Sequence, residues 1–218
     1  MLTARTECIV KHISSDVVAD IGTDHAYIPI YLIQNGICKK VIATDISKGP
    51  IDAARRNIEK NGMSDKIEIR LGGGLIPIND NECGECIIAG MGGFAIINIL
   101  SEKTISSYRY ILQPMNYQYE LRKFLFDSGF KITEEDIAVE GFKVYNIICA
   151  EKGDDYSEKN ELDFHIPPSL LTHKNINDLK AKKRREFIKI RNGLKKSLSP
   201  DTGLIEKYEK LLDELDKI

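Results

Sequence analysis

From about residue 16 to residue 150 the chain alternates short β-branched apolar runs with helix-length segments, and the runs stop at an aspartate or a cluster of glycines. Asp16 to Ile21 is the first run. Tyr27 to Asn35 then reads as a helix stopped by Gly36, and Lys40 to Asp45 repeats the strand pattern. A helix from about Pro50 to Lys60 follows, with Pro50 near its first turn and Asn61-Gly62 at its end. The third run, Ile67 to Leu71, ends in Gly72-Gly73-Gly74. The fourth, Cys86 to Ala89, ends in Gly90-Met91-Gly92-Gly93 and enters the apolar helix Phe94 to Leu100. The fifth, Tyr108 to Leu112, stops at Gln113-Pro114-Met115-Asn116 before a helix from about Tyr117 to Asp127. Strands that alternate with helices, several of them apolar on both faces, predict a mostly parallel sheet covered on each side.

The alternation then breaks. Phe130 to Val139 and Lys143 to Ala150 are β-rich and separated only by Glu140-Gly141-Phe142, which predicts an antiparallel hairpin closing the sheet. Beyond Asp155 the composition changes. Lys174 to Lys196 holds ten basic residues against Asp178 and Glu186, a local charge of +8 inside a chain whose formal net charge is only -2. Ser199-Pro200-Asp201 reads as a helix start, with serine as cap and proline in the first turn. In that last helix Leu204, Tyr208, Leu211, Leu215 and Ile218 form a seam of coiled-coil spacing, and the preceding helix offers Ile176, Leu179, Phe187, Ile190 and Leu194. A helical hairpin packed against itself would bury both stripes. The seam closes either within one chain or between two; a monomer is favoured.

The expected class is therefore α/β: a Rossmann-like, mostly parallel sheet with a C-terminal antiparallel hairpin over residues 1–153, followed by a small all-α helical-hairpin domain over 160–218. At 218 residues, 42% hydrophobic and 29% charged, the chain can bury a full core and stay in solution. No run approaches the ~20 apolar residues that cross a bilayer, and Met1-Leu2-Thr3-Ala4-Arg5-Thr6-Glu7 lacks the apolar stretch of a secretion signal. A cytoplasmic protein without a membrane partner is expected. The cysteines, Cys8, Cys38, Cys83, Cys86 and Cys149, are odd in number and suit free thiols. Cys83-Gly84-Glu85-Cys86 has no second close Cys/His pair to complete a zinc site and leads into a strand rather than a helix, so no metal is expected.

Ligands of an open parallel sheet bind beyond the carboxyl ends of the strands, where strand order reverses. The unusual residues lie at those ends. Gly22 lets backbone pass close to a ligand, and Asp45 is placed to accept from two ribose hydroxyls. Asp24 and Ala26 stand where a dinucleotide loop would carry glycines, and a second acidic side chain is poorly tolerated beside a pyrophosphate. A nucleoside bearing positive charge meets no such penalty and would be stabilised by Asp20 or Asp24. Asp24 reads alternatively as the cap of the next helix. No GxxxxGK[ST] is present to support nucleoside triphosphate hydrolysis.

The strings Asp20-Ile21-Gly22-Thr23-Asp24-His25-Ala26-Tyr27 and Ile88-Ala89-Gly90-Met91-Gly92-Gly93, with Ile111-Leu112-Gln113-Pro114 and the basic helical tail, closely resemble the bacterial tRNA methyltransferases that modify N1 of adenine 22. The terminal hairpin agrees by fold analogy. The resemblance implies S-adenosylmethionine as cofactor, tRNA as partner, a Rossmann-like catalytic domain and a C-terminal coiled coil. It implies cofactor contacts from Asp20, Gly22, Asp45, Ile46, Gly73, Gly74, Ala89, Gly90 and Met91. The family commonly places a polar residue where this chain has Gly73, so Gly73 and Gly74 carry over only as positions of close approach. Around the target base it implies Asp24, His25, Tyr27, Gln113, Pro114 and Asn116. Adenine N1 offers a free lone pair, so no base is required and His25 reads as a positioning or binding residue rather than a proton acceptor. Tyr27 reads either as the stacking face for an unstacked base or as core, Met91 as packing, and Gln113-Pro114 as a site element or only a turn. Lys182, Lys183, Arg184, Arg185, Lys189 and Arg191 read as a grip on tRNA phosphates or, alternatively, as partners of the acidic last helix. Two other readings stay open: a methyltransferase for another RNA site or a small molecule, and a non-catalytic RNA-binding module.

Overall fold

The computed structural model describes residues 3–155 and 157–218, so Met1 and Leu2 of the expected first domain lie outside the described residues. Seven strands form one sheet in the order β3-β2-β1-β4-β5-β7-β6. β1 (Val17–Ile21), β2 (Lys40–Asp45), β3 (Ile67–Leu71), β4 (Glu85–Met91) and β5 (Arg109–Pro114) run parallel. β6 (Phe130–Glu140) and β7 (Lys143–Lys152) are the antiparallel hairpin, with β7 laid against β5. Strand order reverses between β1 and β4, whose ends meet in the pairs Asp20↔Ile87 and Ile21↔Ile88.

Both faces of the sheet are covered, as the apolar strands require. Val18, Val41, Ala43, Ile87 and Ile111 point to α1 (Ala4–Val10), α2 (Tyr27–Gln34) and α3 (Lys48–Lys60), burying Ile9, Leu32 and Ile58. The alternate residues Ala19, Ile42, Ile88 and Leu112 face α4 (Gly93–Glu102) and α5 (Gln118–Asp127), burying Ile96, Leu121 and Leu125. Each fully buried aliphatic side chain contributes about 1.5–3 kcal/mol.

Three local features depart from the sequence reading. α1 was not anticipated: seven residues give too short a pattern, yet Thr3 caps it, its hydroxyl accepting from Thr6 N at 3.3 Å. β5 runs through Gln113 and Pro114 instead of stopping at Leu112, because β4 shifts register between Ala89 and Met91 and pairs onward to Pro114. The last helix, α7 (Thr202–Leu215), is capped by Asp201 rather than Ser199: its carboxylate accepts from Leu204 N at 2.9 Å, leaving Pro200 outside the helix.

After short 3-10 turns at Leu162–Phe164 and Pro168–Leu170, α6 (Ile176–Lys195) pairs with α7. The pair does not bury its stripes on itself alone. Leu179, Phe187, Leu211, Leu212 and Leu215 share one cluster with Ile137 and Val144 of the hairpin and Leu162, Ile166 and Leu170 of the turns. The expected seam is correspondingly shorter: Leu204 is exposed, and Ile218 lies exposed beyond the helix end. No helix among the described residues is long and apolar enough to cross a membrane.

Candidate active site

At the end of β1 the chain turns through Gly22 at φ +76°, where a Cβ would sit 2.2 Å from Met91 Cε; only glycine fits. Gly22 N and Thr23 N both donate to Thr44 O at 2.8 Å, tying the loop to β2. Asp24 (φ 51°) and Ala26 (φ 57°) then adopt left-handed backbone, a strain of roughly 1–2 kcal/mol each that persists where a site over-determines it. Ala26, not Asp24, is the N-cap of α2, and no side chain caps it. The helix-cap alternative for Asp24 therefore falls: its side chain is 68% exposed and lies 3.7 Å from His25 Nε2.

Two carboxylates meet behind this loop. Asp20 is buried, and burial pushes its carboxyl up to about 6, with the Asp45 charge adding and the Thr23 hydroxyl opposing. Asp45 accepts from Asp24 N (3.3 Å) and Ser47 N (2.9 Å), one bond to each oxygen, and keeps lone pairs for a ligand. Among the described residues neither makes an ion pair. Ile46 is 75% exposed beside the Gly73 loop, its Cδ1 3.3 Å from where a Gly73 Cβ would stand. Gly74 takes φ +51°.

Across the switch point, the ends of β4 and β5 are locked together. Gln113 is fully buried; its Oε1 accepts from Gly90 N (3.1 Å) and its Nε2 donates to Pro114 O (3.1 Å), so it braces the loop instead of facing it. Ala89 pairs with Gln113 in the ladder, and Met91 O accepts from Met115 N at 2.8 Å. Gly93 N donates to the backbone and side-chain oxygens of Asn116 (3.1 and 3.3 Å), an approach so close that a Cβ would stand 2.5 Å from Tyr117 O.

Around these loops stand exposed aromatic rings. Tyr27 is 65% exposed and stacks on His25 at 5.4 Å, so it is not core. Phe94 and Tyr117, packed at 4.6 Å and each about half exposed, complete the wall and went unforeseen from the sequence. The signal was available: each is a large ring directly beside a residue that turns a strand end, Gly93 or Asn116.

The basic stretch divides. Lys182 Nζ donates to Val144 O at 3.0 Å, and burial lowers its pKa; Lys183 is buried and paired with Glu186 at 2.9 Å. Arg184 pairs with Asp216 and Lys195 with Glu209, which realises the α7 alternative for those two. Arg185 and Lys189 are exposed and make no ion pair among the described residues, and half-buried Arg191 donates to the Asn192 side chain. Between α6 and the β5–α5 loop lies a cavity of about 330 Å³, lined in part by Asn116, Tyr117, Lys182, Lys183 and His165. Burial holds the His165 ring down to about 3, hence neutral; it stacks on Tyr119 at 4.4 Å, and its Nδ1 has no partner among the described residues.

Two groups of side chains outside the crevice lie close enough to share an ion, Cys8-His12-Asp136 and His12-Glu134-Cys149. Both His12 ring nitrogens are already engaged, by Glu134 Oε2 at 2.8 Å and Asp136 Oδ2 at 3.1 Å. All five cysteines are free thiols.

A family profile described as "Methyltransferase domain" matches residues 2–148. The tRNA (adenine(22)-N(1))-methyltransferase of Bacillus subtilis is 37% identical over 157 residues, 70% of this chain and 66% of the relative. A crystal structure of the B. subtilis m1A22 tRNA methyltransferase superposes with a TM-score of 0.87 at 28% identity, covering 100% of this chain and 98% of that one. A Streptococcus pneumoniae putative tRNA (m1A22) methyltransferase, solved in complex with S-adenosyl-L-methionine, gives 0.83 at 32% identity over 97% and 100%.

Proposed function

This chain belongs to the methyltransferase-domain family, on the branch of the bacterial tRNA (adenine-22 N1)-methyltransferases, and from that premise we propose that it methylates N1 of adenine 22 in tRNA using S-adenosylmethionine. The observation that carries the reading is the pair Asp20 and Asp45: two carboxylates on one crevice, one of them buried, with no ion pair to either among the described residues. Such a crevice repels a pyrophosphate and stabilises a cationic nucleoside. The fit extends to Gly22, which leaves room for backbone-close approach, and to the exposed apolar side chain of Ile46 beside Gly73.

When bound, S-adenosylmethionine would supply a sulfonium methyl group that the N1 lone pair of adenine takes in line, the S–CH3 bond breaking as the N–CH3 bond forms and S-adenosylhomocysteine leaving as a neutral thioether, with no proton to remove. The residues' work is alignment and exclusion of water. Asp45 receives the ribose hydroxyls, and Asp20 counters the positive charge. Tyr27, Phe94 and Tyr117 hold the unstacked base, whose edge is otherwise hidden in a duplex. Gln113 fixes Gly90 and Pro114 on the methyl side. The adenine becomes cationic as the bond forms, and the exposed Asp24 carboxylate stands where that charge develops. His25 orients Tyr27 through the ring stack. Arg185, Lys189 and Arg191 contact RNA phosphates, and the chain acts as a monomer in the cytoplasm, where tRNA is found. Residues 3–153 form the catalytic domain and 160–218 the helical one.

Incubation with unmodified tRNA, nuclease digestion and identification of the methylated nucleoside tests this. N1-methyladenosine is expected, and it should vanish from a transcript carrying guanine at position 22. Activity only on small acceptors, or tight tRNA binding without methyl transfer, would replace the proposal with one of its alternatives.

A further inference from the structure

Arg5 reaches the rim of the crevice and, among the described residues, makes no ion pair there. It is the second residue of α1, where its backbone N–H donates to Glu140 Oε1 at 2.7 Å, while its guanidinium meets the Glu140 charge only at longer range and without an ion pair. The side chain crosses the Tyr145 ring at 5.6 Å and reaches the ends of β4 and β5, where Nη1 lies 3.6 Å from Met115 Sδ and 3.8 Å from the position a Gly90 Cβ would take. That thioether is the only polar contact of the guanidinium among the described residues. A thioether is a weak acceptor, whereas a guanidinium carries five donors in a planar fork that matches a carboxylate or phosphate.

A half-buried cation laid over an aromatic ring and, among the described residues, without a hydrogen-bonded carboxylate points to an anion brought by a ligand. We infer that Arg5 forms an oxyanion site at the Gly90–Met115 rim, taking either the carboxylate of the methyl donor or an RNA phosphate beside the target base; this rests on the methyl-transfer reading. The donor's amino-acid end carries both an ammonium and a carboxylate, and Asp20 and Arg5 offer opposite charges to match. On the RNA side, β7 runs antiparallel to β5 with Leu112 opposite Ile148, so the hairpin tip lies at this same end of the sheet. There Phe142 is fully exposed and Lys143 is exposed beside it.

The full chain carrying Arg5→Met, which keeps an apolar stem over Tyr145, and Arg5→Lys are compared with the unsubstituted protein. Affinities for S-adenosylmethionine and for 5′-methylthioadenosine, which lacks the amino-acid end, are measured together with the KM for tRNA as a function of salt. For the donor carboxylate, Arg5→Met weakens S-adenosylmethionine tenfold or more and leaves 5′-methylthioadenosine unchanged. For an RNA phosphate, donor affinity holds, the tRNA KM rises tenfold or more, and its log–log dependence on salt loses about one unit of slope. Arg5→Lys recovers part of either loss, which a packing role would not produce, and it carries the comparison alone if Arg5→Met fails to fold. A folded variant matching the parent in both affinities, KM and salt slope overturns the site. If the parent itself neither takes up donor nor methylates tRNA, the methyl-transfer reading falls and this site falls with it.

Discussion

Asp20 is buried at the crevice, where its ionisation weakens the fold. With its carboxyl raised from 3.8 to about 6, it adds stability below pH 3.8 that is lost as pH climbs through 6, where the buried group must ionise without a partner. At about 1.4 kcal/mol per pKa unit this amounts to roughly 3 kcal/mol at neutral pH. Asp20→Asn should therefore raise the melting temperature of the ligand-free protein at pH 7–8, with the difference shrinking toward pH 4, while weakening S-adenosylmethionine at least tenfold. A variant less stable at pH 8 and undiminished in affinity would show that Asp20 is an ordinary core carboxylate. The left-handed Asp24, Ala26 and Tyr117 belong to the same economy: local strain gathered where the loops face the crevice.

At the scale of elements, the first four strands and the loops at their ends were legible because each is a short β-rich run closed by glycine or aspartate, a pattern that needs no long-range information. What escaped depended on partners far away in sequence. α1 is stabilised by Thr3 and by burial of Ile9 against the sheet, neither visible in seven residues. Phe94 and Tyr117 read only as helix starts until the geometry of the strand ends turns them outward. The C-terminal half of α7 packs on the 3-10 turn at Leu162–Phe164 as well as on α6, which no heptad pattern reveals. Asp136 is another such long-range knot, joining β6 to α1 through Lys11 and His12 and to the segment before α6 through His173, 2.7 Å away. Burial pushes Asp136 up, but hydrogen bonds from His12 and Lys11 hold it far below the usual carboxylate range. His12 is pushed up to about 12, chiefly by the Asp136 hydrogen bond. The His12 contribution is whole below pH 6.5 and lost as pH rises through 12; that of Asp136 is present above pH 3.8 and lost as pH falls. Asp136→Asn should cost about 3–5 kcal/mol in urea unfolding at pH 6, with the gap narrowing below pH 3. Equal midpoints at pH 6 would mean the knot is incidental.

For the molecule as a whole, charge is separated along the chain: carboxylates line the strand-end crevice, while Arg185 and Lys189 on α6 make no ion pair among the described residues. On the proposed function a cationic donor would be drawn to the first and a polyanion to the second, two landing surfaces on a molecule whose helical pair shares its core with the hairpin. The account depends most on the first of these. Calorimetric titration of the folded full-length chain with S-adenosylmethionine, at about pH 6 in two buffers of different ionisation enthalpy, addresses it directly. One saturable site should appear, with protons released as Asp20 ionises against the sulfonium. Absence of saturable uptake, with tRNA present as well as without it, would contradict the account.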